Sequence, residues 1–193
     1  MRNFYTLLLA LTLIAPAAVA RQQPPTPTAS HRNYTGIKGG INFSKIRNLN
    51  NASTFIGAHG GFYTLYMQSE RFGIQPEIQY SLQGATFEHS HLFMHYVVVP
   101  VMLKFFPAPA FSLQAGPYAG YLLSSKVETD SYPAQYTGKG QDYGFAYGLT
   151  IGDEGKFTVS ARHHVGLSGF TSNKGSAKNQ VFQIAIGVCI SRK

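Results

Sequence analysis

Phe72-Gly73-Ile74-Gln75-Pro76-Glu77-Ile78-Gln79-Tyr80-Ser81-Leu82-Gln83 alternates without a break. Phe72, Ile74, Pro76, Ile78, Tyr80 and Leu82 take one face; Gly73, Gln75, Glu77, Gln79, Ser81 and Gln83 take the other. A helix would group apolar residues every three or four, so a strict period of two reads as a strand. Its length is also informative. A tilted membrane strand needs about 9–11 residues, whereas strands of water-soluble domains run to ~5–6. Pro76 lies on the apolar face and lacks an N–H for the ladder, which predicts a bulge or local irregularity there.

The same phase recurs along the chain. Phe182, Ile184, Ile186, Val188 and Ile190 alternate with Gln183, Ala185, Gly187 and Cys189. Tyr143 to Ile151 and Phe157 to Val165 repeat the pattern, and weaker versions cover 34–43, 56–67, 94–105 and 111–124. That predicts eight strands, an even number as closed bacterial barrels require. The connections fall into two kinds. Residues 68–71, 107–110 and 152–156 are short; residues 44–52, 84–90, 125–142 and 169–179 read as longer polar loops. Short turns face the periplasm and long loops face outside, so both chain ends belong on the periplasmic side.

Residues 1–20 read as a signal peptide: Arg2 starts it, 4–14 form an apolar run, and Ala18-Val19-Ala20 makes a small-x-small cleavage site. The apolar run is too short to cross a bilayer as a helix. Residues 21–33 are rich in Pro and Thr and read as an extended, flexible tether. The barrel domain is expected over 34–193. With one cysteine, Cys189, no internal disulfide is possible. The net charge of +8 suits anionic lipid head groups or simply keeps the chain soluble, and an exported chain gives no reason to expect nucleic acid.

Which face points outward separates two barrel classes. A soluble lipocalin-like carrier keeps its bulky apolar residues inside and coats its exterior with charge. Only 12% of this chain is Asp, Glu, Lys or Arg, against roughly 25% in an average soluble domain. The polar face consists mostly of Gly, Ala, Ser, Thr and Gln, which suit the interior of a narrow eight-stranded barrel. Tyr66, Phe72, Phe105, Phe111 and Phe157 sit by the short turns, and Tyr80, Tyr121 and Tyr143 by the long loops. Two aromatic girdles are the membrane-interface pattern. The expected fold is therefore all-β: an eight-stranded, antiparallel, up-and-down transmembrane β-barrel in the outer membrane of a Gram-negative bacterium.

Several segments resemble the PorT-like outer-membrane β-barrel family, also called porin family proteins. They are Gly36-Ile37-Lys38-Gly39-Gly40-Ile41-Asn42-Phe43-Ser44, Pro76-Glu77-Ile78-Gln79-Tyr80-Ser81-Leu82-Gln83-Gly84, Val99-Pro100-Val101-Met102-Leu103-Lys104, Gly116-Pro117-Tyr118-Ala119-Gly120-Tyr121-Leu122, Asp142-Tyr143-Gly144 and Ala161-Arg162-His163-His164-Val165-Gly166-Leu167. The resemblance implies an eight-stranded outer-membrane barrel and no single activity: one relative takes part in a protein secretion machine. The chain departs from the usual terminal aromatic, ending Cys189-Ile190-Ser191-Arg192-Lys193. Either Ile190 serves the insertion machinery in its place or insertion is less efficient.

By phase Glu77, Lys38, Lys104 and Arg162 point into the lumen. The third and seventh of eight strands lie opposite one another, which predicts an ion pair between Glu77 and Arg162 that Lys38 can share. A buried carboxylate without a partner would cost several kcal/mol. A permanent plug and a charged gate are both compatible with such a pair, and the narrow barrel favours the plug. Lys45, Arg47, Lys174 and Lys178 lie in the expected long loops, where they could meet lipopolysaccharide phosphates or an acidic partner. His89, His91 and His95, with Glu88 beside them, form no complete metal set. His163, His164 and Ser168 suggest a hydrolase, but His163 falls on the lipid face and His164 on the lumen face, so one site would not use both. No cofactor, metal or enzymatic activity is expected. The leading function is an adhesion, scaffold or assembly role through loops or turns, with outer-membrane lipid, lipopolysaccharide, the insertion machinery and an envelope protein as candidate partners. A narrow channel for ions or very small solutes and the periplasmic carrier are the alternatives.

Overall fold

The structure is a computed structural model that describes residues 32–47, 53–87, 90–129, 134–136, 140–152, 156–172 and 175–193. The leader and nearly all of the tether lie outside the described residues. The strands are β1 (Asn33–Arg47), β2 (Ser53–Met67), β3 (Phe72–Phe87), β4 (Ser90–Ala108), β5 (Phe111–Thr129), β6 (Ala134–Tyr136), β7 (Gln141–Ile151), β8 (Phe157–Ser172) and β9 (Gly175–Arg192). Eight of them close an antiparallel ring, β1-β2-β3-β4-β5-β7-β8-β9, with β9 returning to β1. Closure leaves no sheet edge facing lipid, the condition for crossing a bilayer with strands. The ninth strand, β6, was not expected. It pairs only with residues 125–127 near the far end of β5, outside the ring.

The faces follow the alternation. Ile78 is 53% exposed and Ile184 44%, while Glu77 and Gln183 beside them are buried. Phe72, Phe105, Tyr66 and Phe157 form an exposed aromatic band at the short-turn end, and the Phe72 and Phe105 rings lie 5.1 Å apart. Tyr80 and Tyr143 are exposed towards the far end. A bulky apolar exterior of this kind excludes the soluble carrier, whose outer surface must be wetted.

Two expectations need correction. The expected long loops are largely strand. β1 continues to Arg47, β3 runs through 84–87 and β4 takes in 90–93, β5 extends to Thr129, and the β8–β9 ladder reaches Ser172 and Gly175. Beyond the lipid belt neither face of a strand has to be apolar, so the ladder goes on after the alternation stops. The second is narrower: at Pro76 no bulge forms, and the irregularity is a gap in one ladder. Pairing with β2 skips Gln75 and Pro76, yet the register is the same on either side, and Pro76 still opposes Val101 of β4.

The two ends of the barrel meet at the short-turn end: Asn33 N–H donates to Lys193 O at 2.8 Å, and Lys193 N–H donates back to Asn33 O at 3.0 Å. The β7–β8 turn depends on Gly152, whose φ is +88°. A Cβ there would also lie 2.4 Å from Phe157 O. Gly152→Val is expected to cost about 1–2 kcal/mol from the left-handed backbone alone, read as a lower midpoint in denaturant unfolding.

Candidate functional site: a charged belt across the lumen

Inward positions of eight staves converge in the barrel. Near the short-turn end, Tyr34, Leu65, Met67 and Phe106 form a buried apolar stopper, with Cys189 packed against it. Above the stopper lies a charged belt. Arg162 on β8 reaches across to Glu77 on β3 with two parallel bonds, Nη1 to Oε2 at 2.9 Å and Nη2 to Oε1 at 2.7 Å. Two parallel bonds fix a guanidinium against a carboxylate more firmly than one. Lys38 on β1 adds a third charge, with Nζ 2.7 Å from Glu77 Oε2. Gln75 Nε2 donates to Glu77 Oε1 at 2.7 Å, and Gln79 Nε2 donates to Oε2. The carboxylate is therefore covered on both oxygens.

The network continues to the opposite wall. Arg162 Nη2 donates to Gln114 Oε1 at 2.7 Å, and Gln114 Nε2 donates to Thr150 Oγ1 at 3.0 Å. Lys104 Nζ reaches the same hydroxyl at 3.4 Å. Three of the four expected lumen charges thus meet directly, and Lys104 joins through Thr150 and Gln114. These glutamines were not singled out in the sequence; their inward phase was the available signal.

Farther from the turns the lumen is two-sided. Asn42 Nδ2 donates to Ser81 Oγ at 2.9 Å, and Gln183 Nε2 donates to Asn42 Oδ1 at 3.0 Å, with Ser44, Gln83 and Asn179 on the same side. The β4–β5–β7 side is apolar, built from Met94, Tyr96, Val98, Met102, Tyr118, Leu122 and Ala146. This corrects the expectation of a lumen lined chiefly by small polar groups. In β4 Val97, Val99 and Val101 face outward while Val98 and Met102 face inward, so both faces are apolar and the phase was hidden.

The remaining expected residues are dispersed. His163 faces outward, its Nδ1 2.9 Å from Tyr147 Oη, while His164 is buried in the lumen beside the Tyr118 ring. The Ser168 side chain lies outside the described residues, as do Glu88 and His89. His95 turns out to hydrogen-bond Tyr80, and His91 is exposed. Among the described residues no three His, Cys, Asp or Glu side chains gather to hold a metal ion. Lys45 is exposed on β1. Arg47, the last residue of β1, opposes Lys178 of β9 directly in register, so these cations stand on strands rather than loops. Their side chains, and all of Lys174, lie outside the described residues.

The family described as outer membrane protein beta-barrel domain matches residues 22–172. The chain belongs to that family. As an outer membrane protein beta-barrel, it shares its fold with solved barrels of very different sequence. Ail, the attachment invasion locus protein of Yersinia pestis, superposes with a TM-score of 0.53 at 15% identity, covering 82% of this chain and 99% of Ail. Neisserial surface protein A superposes with a TM-score of 0.61 at 8% identity, covering 80% of this chain and 96% of that one. Ail is also known in complex with the heparin analogue sucrose octasulfate; that structure matches with a TM-score of 0.54 at 16% identity, covering 82% and 99% of the two chains. No curated protein sequence matches the chain.

Proposed function

We propose that this outer-membrane barrel is a non-enzymatic surface protein. Its lumen is permanently crossed by the Glu77–Arg162–Lys38 belt, and its outer tip binds anionic polymer, the phosphates of lipopolysaccharide first of all. The carrying observation is the register at the β9–β1 tip. Arg47 and Lys178 stand directly opposite each other, and Lys45 follows on the same strand. Like charges facing each other across a ladder destabilise it, and an anion between them removes the repulsion. In the sequence Lys174 lies four residues before Lys178. The Ail complex with a sulfated heparin analogue is a parallel case on a similar fold.

Within the family we place the chain in the PorT-like branch, on the strand motifs that resemble it. It is exported to the Gram-negative outer membrane through a leader cleaved after Ala20, and residues 21–33 form the periplasmic tether. The insertion machinery reads a last strand whose outward terminal position is Ile190. N-terminal sequencing of the mature protein should begin at Arg21.

Reversing the tip charges tests the binding reading. K45E/R47E/K178E is expected to lower affinity for immobilised lipopolysaccharide on the order of tenfold, with wild-type binding itself weakening as salt rises. Unchanged, salt-insensitive binding by the triple variant would remove the tip from the function.

A further inference from the structure

The charged belt leaves several hydrogen-bonding atoms unused. His59, on β2, is 5% exposed, and neither of its ring nitrogens has a partner among the described residues. Arg162 Nε and His164 Nε2 are also buried and, among the described residues, unpartnered. All three side chains face the lumen from β2 and β8. Both imidazoles are within electrostatic reach of Arg162, Lys38 and Glu77. Gln183 hydrogen-bonds the His164 ring, which leaves Nε2 as that ring's open position. A guanidinium Nε always carries a proton, and a neutral imidazole carries one on one of its two nitrogens. Buried donors in a native barrel are satisfied by protein, water or an ion, so such a cluster marks an occupant.

Charge decides which occupant. Arg162 and Lys38 both converge on the single carboxylate of Glu77. Two cationic side chains thus share one carboxylate in a space of low polarisability, where an unneutralised charge is costly. We propose that a single chloride-sized anion binds inside the barrel, on the far side of the belt from the stopper. It is held by Arg162 Nε–H and by the imidazoles of His59 and His164. The apolar stopper closes the short-turn end.

Bromide replaces chloride and scatters anomalously, so crystals of the full barrel grown or soaked in bromide test the site directly. The expected result is an anomalous peak in hydrogen-bond reach of Arg162 Nε and His59. Ordered water there, with no anomalous peak, would overturn the proposal. A solution measurement runs beside it. Replacing gluconate with chloride at constant ionic strength should raise the unfolding midpoint by about 4 °C or more. His59→Phe, which keeps the volume and removes the donor, should fold and lose that response. A midpoint indifferent to chloride in the wild-type barrel would count against the anion even if the variant failed to fold.

Discussion

Glu77→Gln is expected to destabilise the barrel by about 3–5 kcal/mol. The amide keeps the volume of the carboxylate but removes the counter-charge that Arg162 and Lys38 share. Two cations then face each other across a narrow lumen. Breaking a buried pair costs far more than never having had one, so E77Q/R162Q/K38Q should recover part of the loss. Denaturant unfolding of the detergent-folded barrel measures both variants. An E77Q barrel that melts with the wild type and shows no new conductance in planar bilayers would sink the belt as plug and as gate together.

The second large effect lies on the opposite face. Arginine at Ile78 or Ile184 should cost about 2–4 kcal/mol, while arginine at Leu167 should cost about 0–1 kcal/mol. All three positions are exposed, at 53%, 44% and 55%, so a water-facing surface would treat them alike. They differ in depth. Ile78 lies six residues in from Phe72 at the turn-end girdle, and Leu167 lies ten residues in from Phe157. At about 3.3 Å per residue and a tilt near 40°, those spacings correspond to the middle and the outer edge of a lipid belt about 25 Å tall. A depth-dependent penalty in folding assays with lipid vesicles is the signature of the bilayer. Equal, small penalties at all three sites would argue against it.

What the sequence made legible follows from the same physics. Lipid on one side and a lumen on the other impose a period of two, so β3, β7 and β9 could be read residue by residue. Glu77 and Arg162 stood out because a charge at an inward position needs a partner, and the half-barrel spacing of their strands supplied one. The signal failed where that contrast is missing. Outside the belt, residues 84–87, 90–93, 169–172 and 175–180 lose the alternation while the ladder continues, so strands looked like loops. In β4 both faces are apolar, which hid the Met94–Tyr96–Met102 wall of the lumen. The bridging roles of Gln75, Gln79 and Gln114 depend on side-chain reach across the barrel, which one-dimensional phase does not encode.

The most direct measurement is heat-modifiability of the expressed protein after membrane fractionation. A closed barrel whose apolar face meets lipid should be recovered in the outer-membrane fraction, and its boiled and unboiled samples should migrate differently on a gel. Recovery in the soluble periplasm, with a single band whether boiled or not, would contradict the outward assignment of Phe72, Ile74, Ile78 and Tyr80 and the membrane barrel with it.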